Sequence, residues 1–227
     1  MISINEYLLS KSHAKSVSKK TFVEADDNNL YDIVHDSMKQ YGYDCDLNFI
    51  DTSNVTNMDN LFDQDFEFEG DISEWNVYNV TSMKYMFYKC RKFRGNLNKW
   101  DTRNLVDASW MFGYCEEFSP DGIYWDTKSL ACANGMFCGC VEFDADISKW
   151  DTSSLSLAER MFDGCEKFNC DISSWDTRKL KNINEMFYEC KSFDQDLSKW
   201  DLRSVKQASS PFEHTAMHTA NLPKIPV

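Results

Sequence analysis

Two columns of acids recur every 25 residues and are the groups best placed to meet a cation. Asp46, Asp71, Asp121, Asp146, Asp171 and Asp196 form one, with Asn96 in its gap. Asp51, Asp101, Asp126, Asp151, Asp176 and Asp201 form the other, with Asn76 in its gap. If consecutive copies lie side by side, these carboxylates fall about 5 Å apart and repel unless each is satisfied. One solution is a row of calcium ions between copies. The other is a turn in which each Asp accepts the backbone N–H two residues on, and the Asp-Thr pair of the second column suits it. The glycine-rich calcium-repeat motif is absent, so the turn is the expectation and no metal is assigned.

Thiols recur at the same interval: Cys90, Cys115, Cys140, Cys165 and Cys190. Neighbouring copies bring them within the Cα range of a disulfide. All five point the same way, however, and an odd number cannot pair completely. They are expected as free, buried, apolar groups. Cys132, Cys138 and Cys140 crowd into the fourth repeat, with Cys115 one copy away, but a zinc site wants four convergent ligands, and Cys138 and Cys140 point to different faces. The histidines, His13, His35, His214 and His218, lie outside the full repeats, and no HExxH, phosphate loop or nucleophile elbow accompanies them. The reading is non-enzymatic, with no catalytic residue and no cofactor.

The elements that would position these groups follow from the period. Tryptophan stands at 75, 100, 125, 150, 175 and 200, and phenylalanine at 62, 87, 112, 137, 162, 187 and 212. A copy this short cannot bury its own apolar face, so neighbours must stack. Met83, Met86, Phe87 and Cys90 follow i, i+3, i+4, i+7 and predict a helix of about two turns. Phe93, Leu97 and Trp100 predict an extended stretch that joins a parallel ladder. The expected fold is an α/β solenoid, a right-handed, leucine-rich-repeat-like stack of strand and short-helix coils. The repeats occupy 46–213, the last one partial, with Pro211 expected to end the periodic helix. Residues 22–45 predict a helical cap, its helix running from Asp27 to Gly42 with Leu30, Ile33, Val34, Met38 and Tyr41 on one face. Residues 214–227 predict a tail over the last coil.

Residues 1–21 hold four lysines and one glutamate in a chain of net charge −13, so the body is strongly acidic. Such a body repels nucleic acid. No apolar run spans a membrane, and no secretory leader is seen in the opening residues, which predicts a cytoplasmic or virion-associated protein rather than a cell-surface one. Residues 2–10 predict a short helix with Ser3 and Glu6 as a capping box, followed by a basic flexible linker. Ile4, Tyr7, Leu8 and Leu9 give that helix an apolar side, either for docking to a larger assembly or for packing on the body.

Asn54-Val55-Thr56-Asn57-Met58, Asn79-Val80-Thr81-Ser82-Met83 and the recurrent Met-Phe-x-x-Cys carry a family resemblance over 46–213. The chain resembles the BspA-like leucine-rich repeat family, a 25-residue bacterial surface-protein repeat. That resemblance implies a solenoid that binds proteins or cell surfaces. The start, Ile4 to Lys11, also looks like short leaders on gut Bacteroidales and phage proteins.

The surface expectation comes from where columns break. Tyr85 and Trp110 occupy a position that is otherwise Asn60, Gly135, Arg160 and Glu185. Tyr78, Tyr88, Tyr114 and Tyr124 likewise stand at positions mostly polar or small elsewhere. Clustered exposed aromatics are candidate binding hot spots. The expected function is therefore a module presenting one face to a protein or glycan. The alternative is a structural or cargo component, possibly of a phage assembly, docked through its first helix.

Overall fold

A computed structural model describes residues 22–226. Residues 25 apart in sequence lie beside one another and are joined by parallel bridges: Asn57 to Ser82, Ser82 to Asp107, Asp107 to Cys132, Cys132 to Leu157, Leu157 to Asn182 and Asn182 to Gln207. The main bonding between repeats sits just after these bridges. The Phe87, Phe112, Phe137 and Phe162 amides donate to the carbonyls of Met111, Met136, Met161 and Met186 at 2.8 to 2.9 Å. Within the second repeat Met83, Tyr85, Phe87 and Lys89 all donate forward in this way. The amides between them close tight turns instead, as in Met86 to Met83 (3.3 Å), Tyr88 to Tyr85 (3.1 Å) and Cys90 to Phe87 (2.9 Å).

This arrangement replaces the short helix expected in each repeat. Tyr85 and Lys89 have φ of 54° and 63°, and the equivalent residues of every repeat are also left-handed. A right-handed helix cannot contain them. A train of turns turns Met83, Met86, Phe87 and Cys90 inward just as a helix would, so the i, i+3, i+4, i+7 spacing does not separate the two. The ladder thus runs where a helix was expected. The extended stretch around Leu97, expected to carry it, has only scattered pairings, such as Asp46 with Asp71 and Gly122 with Asp146. Pro211 does not end the repeat either. It occupies the position of Met186, whose amide only closes a turn on Ile183, and its carbonyl still accepts from Phe187 at 2.9 Å.

The core is two columns of phenylalanine. The largest fully buried side chains are all Phe, from Phe62 to Phe187 and from Phe68 to Phe193. Rings of the first column follow one another at 5.4 to 5.8 Å between centroids. Such offset stacks add to plain burial. The six tryptophans of the 25-residue column are buried beside them, and each of their indole N–H groups finds a backbone carbonyl one repeat back. Trp100 donates to Ile72 (3.1 Å), Trp125 to Leu97 (3.0 Å) and Trp150 to Ile123 (2.8 Å). The indole bonds therefore tie the stretch that lacks a regular ladder.

At the N-terminal end, β1 (Val23–Glu24) pairs in parallel with β2 (Ile50–Asp51). Helix α1 (Leu30–Tyr41) follows and places Leu30, Val34 and Met38 in the same core as the first repeat. It begins later than the expected Asp27. That side chain is committed elsewhere, its carboxylate accepting the Thr56 amide (2.7 Å), the Thr56 hydroxyl (2.5 Å) and the Asn57 amide (3.1 Å). Tyr41, expected on the inner face, is exposed. Gly42, at φ 97°, ends the helix. At the other end the Asn221 carbonyl accepts the Leu197 amide at 2.9 Å, and Pro223 is buried. Among the described residues no helix is long and apolar enough to cross a membrane.

Truncating Trp125 removes a buried ring and its indole bond to the Leu97 carbonyl, which keeps only the Trp100 amide. Trp125→Ala should cost about 3–5 kcal/mol in a urea melt. A loss below about 1 kcal/mol would contradict this packing.

Candidate functional site

The ladder dictates backbone conformation, so the side chain at a left-handed position is free to vary. A non-glycine residue there costs about 1–2 kcal/mol. Three of these positions carry aromatic rings: Tyr85, Trp110 and Tyr114, with φ of 54°, 59° and 59°. Tyr88 stands between them. Tyr85 and Trp110 are parallel within 1° at 6.3 Å, and Trp110 stacks on Tyr114 at 6.4 Å. Tyr88 presents itself edge-on to Tyr85 (5.4 Å), Trp110 (6.0 Å) and Tyr114 (5.6 Å). Four of the six expected residues thus form one patch, with Tyr85 and Tyr114 exposed.

Glycines make room for it. A Cβ added at Gly135 would come within 2.5 Å of the Trp110 indole, and one at Gly139 within 2.5 Å of Tyr114. Gly113 is similarly close to Tyr88, at 2.9 Å. Trp110, Tyr114 and Tyr88 each lie close over a glycine of the following repeat, and Trp110 and Tyr88 stay half-buried between their neighbours. Sequence reasoning placed Gly135 in the column of Asn60, Arg160 and Glu185 but gave it no role, and it did not single out Gly113 or Gly139. Lys89 Nζ lies 5.0 Å from the Tyr88 ring and gives the patch a cationic edge.

Tyr78 and Tyr124 stand apart. Neither makes a ring contact with the four, and Tyr78 lies under Arg103, 5.5 Å from its guanidinium carbon. Tyr124 folds over Gly122 and is the most exposed of the six at 64%. The docking-helix residues Ile4, Tyr7, Leu8 and Leu9 lie outside the described residues.

Behind Tyr114 sits a polar pair that the sequence did not single out. Cys138 is buried, with its Sγ 3.7 Å from Asp163 Oδ2. Burial pushes its thiol up to about 12. Burial also holds the Asp163 carboxyl above the usual carboxylate range, although Arg160 is 3.7 Å away and opposes it.

The acid columns close turns. Asp71, Asp146, Asp171 and Asp196 each accept the amide of the serine two residues on, at 2.9 to 3.0 Å. In the second column Asp176 and Asp201 also pair with Arg178 and Arg203, and those guanidinium bonds hold both carboxyls down to about 2. These pairs are exposed and contribute little stability. The column cysteines are free thiols that donate to carbonyls one repeat back, as Cys115 to Phe87 and Cys140 to Phe112, both at 2.9 Å. Two open hollows of about 270 and 410 Å³ share Arg94, and neither is lined by histidine or cysteine.

A family model described as "Mycoplasma protein of unknown function, DUF285" matches residues 28–134 and 122–225. No curated protein and no solved structure matches.

Two outcomes follow from the burial. In the native protein at pH 8, alkylation should reach the half-buried Cys45, Cys132 and Cys170 first, while the column thiols react only on denaturation. Mass spectrometry of the denatured, unreduced chain should then find nine labels, and fewer would mean a disulfide. Asp163 has a folded pKa above its unfolded value of 3.8, so its charged form opposes folding. Below 3.8 both states are protonated and the penalty vanishes; above the folded pKa it is complete. Asp163→Asn should therefore raise the melting temperature at pH 7 and not at pH 3. A lower melting temperature at pH 7 would contradict the assignment.

Proposed function

We propose that this chain, which belongs to the DUF285 family, is a non-enzymatic interaction module whose contact surface is the patch of Tyr85, Tyr88, Trp110 and Tyr114. The observation that carries this reading is the gathering of four rings in mutual contact, three of them over glycines that clear space for them. Three of those rings sit at left-handed positions, where bulky residues carry a backbone cost that packing of the core does not require. The exposed Tyr85 and Tyr114 offer apolar area with little side-chain entropy to lose, which is how aromatic residues act at binding hot spots. The partner is a protein or a glycan that lays a flat apolar face on the rings. The acidic body keeps nucleic acid away.

In fold terms we read the array as a right-handed solenoid of the leucine-rich-repeat-like, BspA-like kind. The parallel bridges at 25-residue spacing and the conserved forward direction of the amide ladder support that reading. A rigid array of this sort holds the four rings at fixed spacing, so binding loses little to ordering.

The test is a double variant, Tyr85→Ala with Trp110→Ala, screened beside the parent on protein and glycan arrays. Each truncated hot spot costs about 2 kcal/mol or more, so affinity for any ligand found with the parent should fall about a hundredfold or more. The melting temperature should stay within a few degrees, because neither ring is part of the buried columns. Unchanged binding by a folded double variant would overturn the proposal.

A further inference from the structure

The two ends of the amide ladder are not alike. In the fifth repeat Ala158, Arg160, Phe162 and Gly164 donate to the repeat that follows, at 3.0, 2.8, 2.9 and 2.8 Å. The same positions in the last repeat are Ala208, Ser210, Phe212 and His214. Their amides reach no acceptor among the described residues. Phe212 is only half-buried, although Phe62 to Phe187 in its column are fully buried. Beside it Glu213 is exposed and carries no ion pair among the described residues. The chain that follows does not fill this place, because it crosses to Leu197 instead, through the Asn221 carbonyl.

At the opposite end the equivalent carbonyls are those of Asn57, Asp59, Leu61 and Asp63. There α1 packs against the core, and His35 Nε2 lies 2.8 Å from the Leu61 carbonyl. Proteins usually cover or blunt an unpaired edge, since it is a template for another strand. Among the described residues α1 covers one end, while at the other Met217 and Ile225 pack against the core but the four ladder amides stay unpaired.

The polarity of the open edge selects its occupant. It offers four donors at alternate residues, so two such edges brought face to face would set donor against donor. Among the described residues a second copy could supply unpaired ladder carbonyls only from its first repeat, where α1 stands. We propose that the last repeat is a docking edge for an extended segment of a partner protein, which adds to the array as a further rung. The segment presents carbonyls at alternate residues to Ala208, Ser210, Phe212 and His214, and an apolar side chain over Phe212. It carries a Lys or Arg in register with Glu213. The chain itself shows this charge register, since Lys191 reaches Glu166 one repeat back at 2.7 Å. A net charge of −13 also favours a basic segment.

The probe is a synthetic peptide copying residues 181–191 with Tyr188→Lys, which sets its lysine against Glu213 and its Phe187 against Phe212. Amide exchange of the full chain is followed residue by residue by NMR. At saturating peptide the amides of Ala208, Ser210, Phe212 and His214 should exchange about tenfold slower or more. Glu213→Lys, an exposed change that leaves the ladder intact, should weaken the peptide about fivefold or more by placing like charges together. Unchanged exchange at the four amides would show an edge that is merely hydrated and would overturn the proposal. So would protection confined to the Tyr85 and Trp110 patch, or a peptide affinity indifferent to Glu213→Lys.

Discussion

The amide of each column phenylalanine from Phe62 to Phe187 points at the carbonyl of the next repeat, and the rest of the structure depends on that bond. It is one of four at every junction, made by alternate residues. Alternation requires the intervening residues to turn, and the turns require left-handed φ twice per repeat. Those turns in turn swing Met, Phe and Cys inward, where the phenylalanine rings stack and the thiols reach buried carbonyls. Remove the forward bonds and a repeat of 25 residues has no core of its own and no reason to keep its strained residues.

Because neighbours enforce the backbone, the left-handed positions accept Asn60, Tyr85, Trp110, Gly135, Arg160, Glu185 and Ser210 alike. The side chains there vary in type and stand along one edge of the array, exposed at Asn60 and Tyr85 and half-buried at Trp110, Arg160, Glu185 and Ser210. In the fifth and sixth repeats the position holds an ion pair, Arg160 with Glu185. In the second and third it holds Tyr85 and Trp110, followed by a glycine that clears space. The same architecture therefore yields a charged stretch and an aromatic stretch without altering a single ladder bond.

Much of this was legible in the residues. The Trp, Phe and Cys columns announced the core, because their spacing is invariant and their types apolar. The aspartates announced turns, because an Asp followed by Thr or Ser offers an acceptor to the amide two residues on. The turns between Met83 and Cys90 were not legible. A helix and a train of turns put the same four side chains inside, and nothing in Tyr85 or Lys89 advertises positive φ as glycine or asparagine would. The start of α1 was misplaced because Asp27, a good cap, binds Thr56 across the chain instead. The aromatic patch was half legible. Column breaks picked out all six residues, but only the ring-to-ring contacts separate the four that cluster from Tyr78 and Tyr124.

The central claim is that bonding in the Met-Phe-x-x-Cys stretch runs between repeats and not along a helix. A through-hydrogen-bond scalar coupling measured at the Phe137 amide tests it directly. The structure predicts coupling to the carbonyl carbon of Met161, whose oxygen lies 2.9 Å from the Phe137 nitrogen. Coupling to the carbonyl of Ala133, four residues back, would mean a helix and would contradict the account.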